Sequence, residues 1–371
     1  TKSKDFYLLP DSDDYDNIPQ DPLNPLTGAK VEVGKLIYHD PAFATEGIAL
    51  RAKTWSCASC HHARAGFKSG MIQGIGEGGE GFGLKGETRG WFDPEIGTQD
   101  ADVQPVTSPT ILNVAFQDVM LWNGQLGNAS NGIINVGIDP EILMTEGTPK
   151  VANAEGLSGI ETQAIAGTGV HRILGFPPEL EDSDYYQMLL DAFPEYSRDE
   201  LHKSSTRAIA AFERTVLANQ SPFQLWLRGD TDAMSEKEIA GAEVFFGDGG
   251  CVACHQGAAF SSSVGATADQ VFFAVGFADL DFNEIIGGVS DPVRLGRGGF
   301  TQVEEDNYKF KVPQLYNLAD INVFGHGGSF SSVREVVEYK NIGIAQNDAS
   351  TDYLDPGFQP LGLTSQQVDD L

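Results

Sequence analysis

The chain has 371 residues, 41% of them apolar, which suits about two domains with ordinary cores. It holds no run of roughly 18 apolar residues able to span a bilayer. Against 53 acidic residues stand 24 basic ones, a net charge of −29, which argues against nucleic acid or an anionic membrane surface as partner. The acidic excess reads first as a solvated surface and second as a docking face for a basic protein.

Thr1 opens a polar segment rather than an apolar leader, so a leader is expected either to have been removed or to lie outside the given sequence. The segment GKLIYHDPAFA (34–44) then runs toward the first cysteine pair, in WSCASCHHARAGF (55–67). There Cys57 and Cys60 are followed at once by His61 and His62. The stretch GIGEGGEGFGLKGETRG (74–90) is the most glycine-rich; Lys85 is followed by Gly86 rather than Ser or Thr, so it is no phosphate loop and is expected to be a mobile loop. In residues 205–220, Ile209, Phe212 and Val216 fall on one face at helical spacing. Ser235 with Glu238 three residues on predicts a capped helix over 235–246. It leads to GCVACHQGAAF, with Cys251, Cys254 and His255. VFFAVGF (271–277) is the best strand candidate. In SSVREVVEYK (331–340), Val333, Val336 and Val337 predict a last amphipathic helix. With 43 glycines and 18 prolines, long structured loops must join these helices.

The four cysteines are all spent in the two pairs, leaving none for a long-range disulfide. Two thiols three positions apart can reach two vinyl groups of a porphyrin, and the following histidine can meet the iron. The rivals are a zinc site and a redox dithiol; neither calls for a histidine directly after both pairs. Two copies in the same local frame therefore predict two covalent c-type haems, with His61 and His255 as proximal ligands and His62 turned away. The copies lie about 194 residues apart, which fits two domains rather than a solenoid. Covalent c-haem is assembled outside the bacterial cytoplasm, so a periplasmic or surface location is expected.

From about residue 30 to 345 the chain resembles the bacterial dihaem cytochrome c peroxidases and their relatives of the methylamine-utilisation (MauG) type. The motifs that carry the resemblance are GKLIYHDPAFA, SPTILNVAFQDVMLWNG (108–124), IETQA (160–164), AIAAFERTVL, FKVPQLYN (310–317) and FGHGGSFSSVREVVEY (324–339). It implies a mainly α fold of two cytochrome-c-like domains, a peroxidatic one at 27–196 and an electron-transfer one at 197–371, after an extension over 1–26. It also implies hydrogen peroxide as substrate. A small c-type cytochrome or cupredoxin would be the donor, and homodimers are the usual assembly, although no interface signal stands out here. Trp122 matches the tryptophan between the haems. Asn113 matches a residue that helps bind a calcium ion; the partner stretch ADINVFGH departs from the family pattern. His326 is expected near the second haem and the gap between domains. His39 and His202 are read as surface residues.

Two positions depart from the resemblance. Where the family carries a glutamate that shuttles the peroxide proton, this chain reads IETQAIAGTGVHRI. Gln163 fits, Gly167 stands at the expected proline, and His171 with Arg172 replaces Glu-Met. His171 is expected to be the acid/base, with Arg172 adding positive charge; the alternatives make His171 a ligand closing the first haem or a surface residue. The methionine that caps the second haem is also missing: no methionine follows Met234, and the position 14 after His326 is Lys340. Lys340 shares the stripe of Val333, Val336 and Val337, whereas Tyr339 lies off it, so Lys340 is favoured over Tyr339 as ligand; the alternative is a lysine snorkelling to water. Three functions remain: a peroxidase, a MauG-like enzyme oxidising tryptophan or tyrosine side chains of a partner protein, and a non-catalytic electron carrier.

Overall fold

The computed structural model describes residues 2–47, 52–81, 83–91, 101–130, 134, 138–173, 176–262, 264–279 and 290–371. It is mainly helical. The helices that build the sites are α1 (Gly28–His39), α2 (Cys57–Cys60), α3 (Gly159–Val170), α4 (Asp184–Ala192), α5 (Leu201–Arg214), α6 (Glu236–Phe246), α7 (Val333–Ile342) and α8 (Ser365–Asp370). Two strand pairs complete it: β1 (Gly79–Glu80) with β2 (Gly90–Trp91), and β3 (Phe272–Phe273) with β4 (Phe310–Lys311), both antiparallel. Among the described residues no helix is long and apolar enough to cross a membrane.

The most buried helix is α5, with every residue from Ser204 to Arg214 inside. It packs against α1, α3 and α4. Gly34 permits the closest approach: a Cβ there would lie 1.8 Å from the carbonyl oxygen of Ala208. On the same helix Arg214 meets Glu161 of α3 with two bonds, Nε to Oε1 at 2.9 Å and Nη2 to Oε2 at 2.5 Å. The core therefore crosses the expected boundary at 196/197, because α5 follows it in sequence and packs before it in space. Residues 2–26 are also tied in. Leu9 and Ile18 are buried, Arg214 donates to the Pro19 carbonyl, and Gln224 exchanges bonds with the Leu9 amide and Tyr7 carbonyl.

A repeat deeper than the cysteine motifs emerges in three dimensions. Asn113 and Asn317 both take left-handed backbone and each starts a one-turn 3-10 helix, Val114–Phe116 and Leu318–Asp320. The bridges Met120 with Leu126 and Phe324 with Phe330 then close matching loops. Gly124 and Gly328 turn left-handed inside them. By this correspondence Trp122 and His326 occupy equivalent places.

Two local expectations need correction. The strand candidate 271–277 pairs only at Phe272 and Phe273. The carbonyls of Ala274, Val275 and Gly276 instead accept from the Asp355 amide, the Tyr339 hydroxyl and the Gln346 amide, so no partner strand can continue. The glycine-rich stretch is no free loop in its first half: Gly74 to Gly79 are buried. Buried Arg89 pins them through the carbonyls of Ile75 and Gly76. Exposure begins at Glu80.

Candidate functional site

Ser56 and Ser59 cap α2 reciprocally, which fixes the turn carrying Cys57 and Cys60. Both cysteines are free. Burial, joined by the charges of Glu213 at Cys57 and Asp102 at Cys60, pushes both thiols up to about 12. Among the described residues no three His, Cys, Asp or Glu gather as a metal cluster. Thiols held neutral and unpaired beside a histidine fit covalent attachment of a porphyrin.

The His61 Nδ1–H faces the Phe67 carbonyl at 3.3 Å. A carbonyl only accepts, so the proton sits on Nδ1 and Nε2 keeps the lone pair an iron needs. Burial and then the nearby charge of His171 push His61 down to about 4, which keeps the ring neutral. His62 faces elsewhere, its Nδ1 accepting from the Arg64 amide at 3.3 Å. His171 stands at the C-terminus of α3, where the Trp55 indole donates to its carbonyl at 2.8 Å. Its Nδ1–H donates to Asp102 Oδ2 at 2.9 Å. Burial alone would lower the His171 pKa, but the Asp102 carboxylate outweighs it and the net shift is upward. Gln163 lies beside it: a Cβ at Gly167 would sit 3.1 Å from Gln163 Nε2 and 3.9 Å from His171 Cδ2. Glycine at the expected proline position thus leaves room for both side chains.

Arg172, expected to add positive charge, has a partner of its own. Its backbone turns left-handed, and its guanidinium forms an ion pair with the buried carboxylate of Glu77. That partner offsets the positive charge expected to face a developing anion.

The second motif repeats the first with small changes. Cys251–Ala253 forms a 3-10 turn, both cysteines are free, and burial raises both thiols. His255 Nδ1–H donates to the Phe260 carbonyl at 2.8 Å, again leaving Nε2, and burial takes His255 to about 4. Phe67 and Phe260 share left-handed backbone, so each loop returns its carbonyl to its own histidine. Around the second motif opens a cavity of about 690 Å³ with mostly apolar walls, including Cys251, Cys254 and His255. Its size falls within the roughly 300–1,000 Å³ typical of ligand pockets, and its wall chemistry suits a porphyrin face.

Val333, Val336, Val337 and Lys340 form one wall of this cavity. The Lys340 ammonium lies 5.0 Å from the ring centres of Phe277 and Phe358, and burial brings it down to about 8. Tyr339, the other ligand candidate, belongs elsewhere. Its hydroxyl donates to the Val275 carbonyl, and its ring packs among Phe277, Phe330 and Phe358. One residue of helix is about 100°, enough to send it to a different face.

Trp122 borders the same cavity. Its indole N–H donates to the Thr107 carbonyl at 2.8 Å, while the Thr107 amide donates to the His326 carbonyl at 3.1 Å. The rings of Trp122 and His326 meet edge to face at 5.7 Å. His326 is buried, with Nδ1–H donating to Asp279 at 2.6 Å. Asn113, the residue expected at a calcium site, is tied into the core. Oδ1 accepts from the Ala218 amide at 2.9 Å and Nδ2 donates to Gln314 at 3.4 Å, making the residue a buried clamp. His39 and His202 are exposed. The partners Asp102, Glu77 and Asp279 had no sequence signal: each meets its partner side chain from a distant, loop-rich segment.

The family model described as di-haem cytochrome c peroxidase matches residues 28–232. Cytochrome c peroxidase Ccp of Escherichia coli is 26% identical over 329 residues, covering 88% of this chain and 56% of that protein. The chain thus spans little more than half the length of that relative. The methylamine utilization protein MauG of Methylorubrum extorquens is 24% identical over 326 residues, covering 87% of this chain and 72% of the other. A solved structure of a MauG-like protein associated with microbial copper homeostasis shares the fold. Its TM-score is 0.63 at 20% identity, over 98% of this chain and 92% of that one.

Proposed function

The chain belongs to the di-haem cytochrome c peroxidase family, and on that premise we propose that it reduces hydrogen peroxide to water with electrons from a small redox protein. In this reading its two haem domains, within 27–196 and 197–371, share the core that α5 builds across the 196/197 boundary. The Cys57–His61 site is peroxidatic and the Cys251–His255 site takes in electrons. Haem bound at both motifs would supply the iron that accepts peroxide and carries electrons one at a time.

The chain's own part is proton handling and geometry. The observation that carries the reading is the His171–Asp102 contact of 2.9 Å. With Nδ1–H held by the carboxylate, Nε2 is the basic atom. It takes the proton of the inner peroxide oxygen and returns it to the outer one, which leaves as water; two electrons and two protons complete two waters. Asp102 stabilises the cationic ring between the two transfers. Trp122 and His326, in edge-to-face contact, make the aromatic bridge through which the electrons cross. A periplasmic location and a small c-type cytochrome or cupredoxin donor complete the proposal. The lack of any methionine after Met234 supports a second reading, in which the oxidising equivalents go to tryptophan or tyrosine side chains of a partner protein.

The test is steady-state peroxide consumption with a reduced small c-type cytochrome, on fully oxidised and half-reduced holoenzyme. Donor oxidation in either form, suppressed in His171→Ala, is the expected result. Peroxide consumed without donor oxidation would turn the search to a protein substrate.

A further inference from the structure

We propose that the Lys340 side-chain amine is the second axial ligand of the haem held by Cys251, Cys254 and His255. The inference rests on the reading above only for the presence of that haem.

Four observations on α7 and the cavity carry it. Lys340 lines the same cavity as both cysteines and His255. It does so from the wall opened by Val333, Val336 and Val337, so the helix aims it inward by register. Among the described residues its Nζ makes neither a hydrogen bond nor an ion pair; its near neighbours are the rings of Phe277 and Phe358, each at 5.0 Å. The carboxylates that line the cavity, Glu238, Asp355 and Asp370, stay beyond ion-pair distance of Nζ. The faces of Phe277, Phe358 and Tyr339 hold the ammonium only by cation–π attraction and give it no acceptor, and a neutral amine bound to a metal needs none, having given up its proton. Competing donors on α7 are excluded: the Tyr339 hydroxyl is spent on the Val275 carbonyl, and the three valines have no donor atom. The ligation step is a proton leaving Nζ to solvent as the nitrogen lone pair binds iron, with no change in oxidation state.

The consequence is a second site closed by two nitrogen donors. A nitrogen cap in place of a thioether favours the ferric state and lowers the reduction potential.

The experiment uses the holoenzyme, Lys340→Ala and Lys340→Met. Intact mass counts the covalent haems, circular dichroism checks the fold, and electron paramagnetic resonance of the ferric state reads spin. Imidazole binding reads access to iron. The expected result has two haems in all three proteins. Lys340→Ala turns one haem from low-spin to high-spin and opens it to imidazole, and Lys340→Met restores low spin with a sulfur-ligand spectrum and a raised potential. Two haems with unchanged spin and imidazole binding in both variants would overturn the ligand assignment and leave the peroxidase reading standing. Absence of haem from Cys251 and Cys254 in the parent protein would overturn both.

Discussion

The two cysteine sites differ less in how they hold a histidine than in what they set near it. His61 and His255 are both buried, both near pKa 4, and both turn Nδ1–H toward the carbonyl of a left-handed phenylalanine. Near His61 stands His171, charged more readily because Asp102 holds it. Near His255 stands Lys340, enclosed by aromatic rings with no acceptor. A carboxylate makes the proton of the first group harder to lose, and burial makes that of the second easier to lose, down to about 8. A common frame can therefore set two different surroundings beside like histidines, because the contrast depends on a few side chains and not on the backbone.

Removing either group should split the pair most sharply. His171→Ala should cut kcat/KM for peroxide by roughly 10²–10⁴, the range of acid–base catalysis, while reduction of the second haem by the donor keeps its rate. Stopped-flow measurement of both steps checks this; equal slowing of the two would dissolve the functional contrast. Next in size is the shared frame. Arg214→Met strands buried Glu161 and should cost about 3–5 kcal/mol of stability, measured by denaturant unfolding with retention of both haems. A loss below about 1 kcal/mol would mean the ion pair is not what anchors α3 to α5.

Asp102→Asn asks how far the carboxylate makes the first site. It should lower the His171 pKa and carry the acid limb of kcat/KM to lower pH. The plateau should fall by about tenfold, near the 1.5 kcal/mol of a charge-assisted bond. A pH profile that does not move would reduce Asp102 to packing. The linkage has a definite sign. Because folding raises the His171 pKa, the stability from this contact is fully present below about 6.5 and is lost as pH rises through the folded value. Comparing unfolding of parent and variant across that window checks it independently of turnover. The smallest effects compare the two helices that precede the motifs. Thr27→Ala removes the side-chain cap of α1 and Ser235→Ala that of α6. Each should cost about 1 kcal/mol. Ser235 should cost more, because its hydroxyl also donates to Glu238 Oε2 at 2.7 Å; a calorimetric ranking in the reverse order would deny the second cap its added strength.

Short-range features were legible in the residues alone. Cys-x-x-Cys-His announces itself within five positions, the Ser235–Glu238 box within four, and the α7 stripe within eight, so the placement of Lys340 and the displacement of Tyr339 followed from helical periodicity. A two-residue β-pair in place of the strand over 271–277 was not legible, because the partners of its carbonyls lie dozens of residues downstream. Neither was the diversion of Arg172 to Glu77, the clamp made by Asn113, or the embedding of residues 2–26. By itself the sequence determined the two Cys-x-x-Cys-His spacings and the face of α7 that carries Lys340, since local geometry and helix period set both. Only the tertiary structure decided which carboxylate holds His171, which rings enclose Lys340 and how Trp122 meets His326. Those contacts join segments tens to hundreds of residues apart, and close packing of the whole chain, rather than any local preference, brings them together.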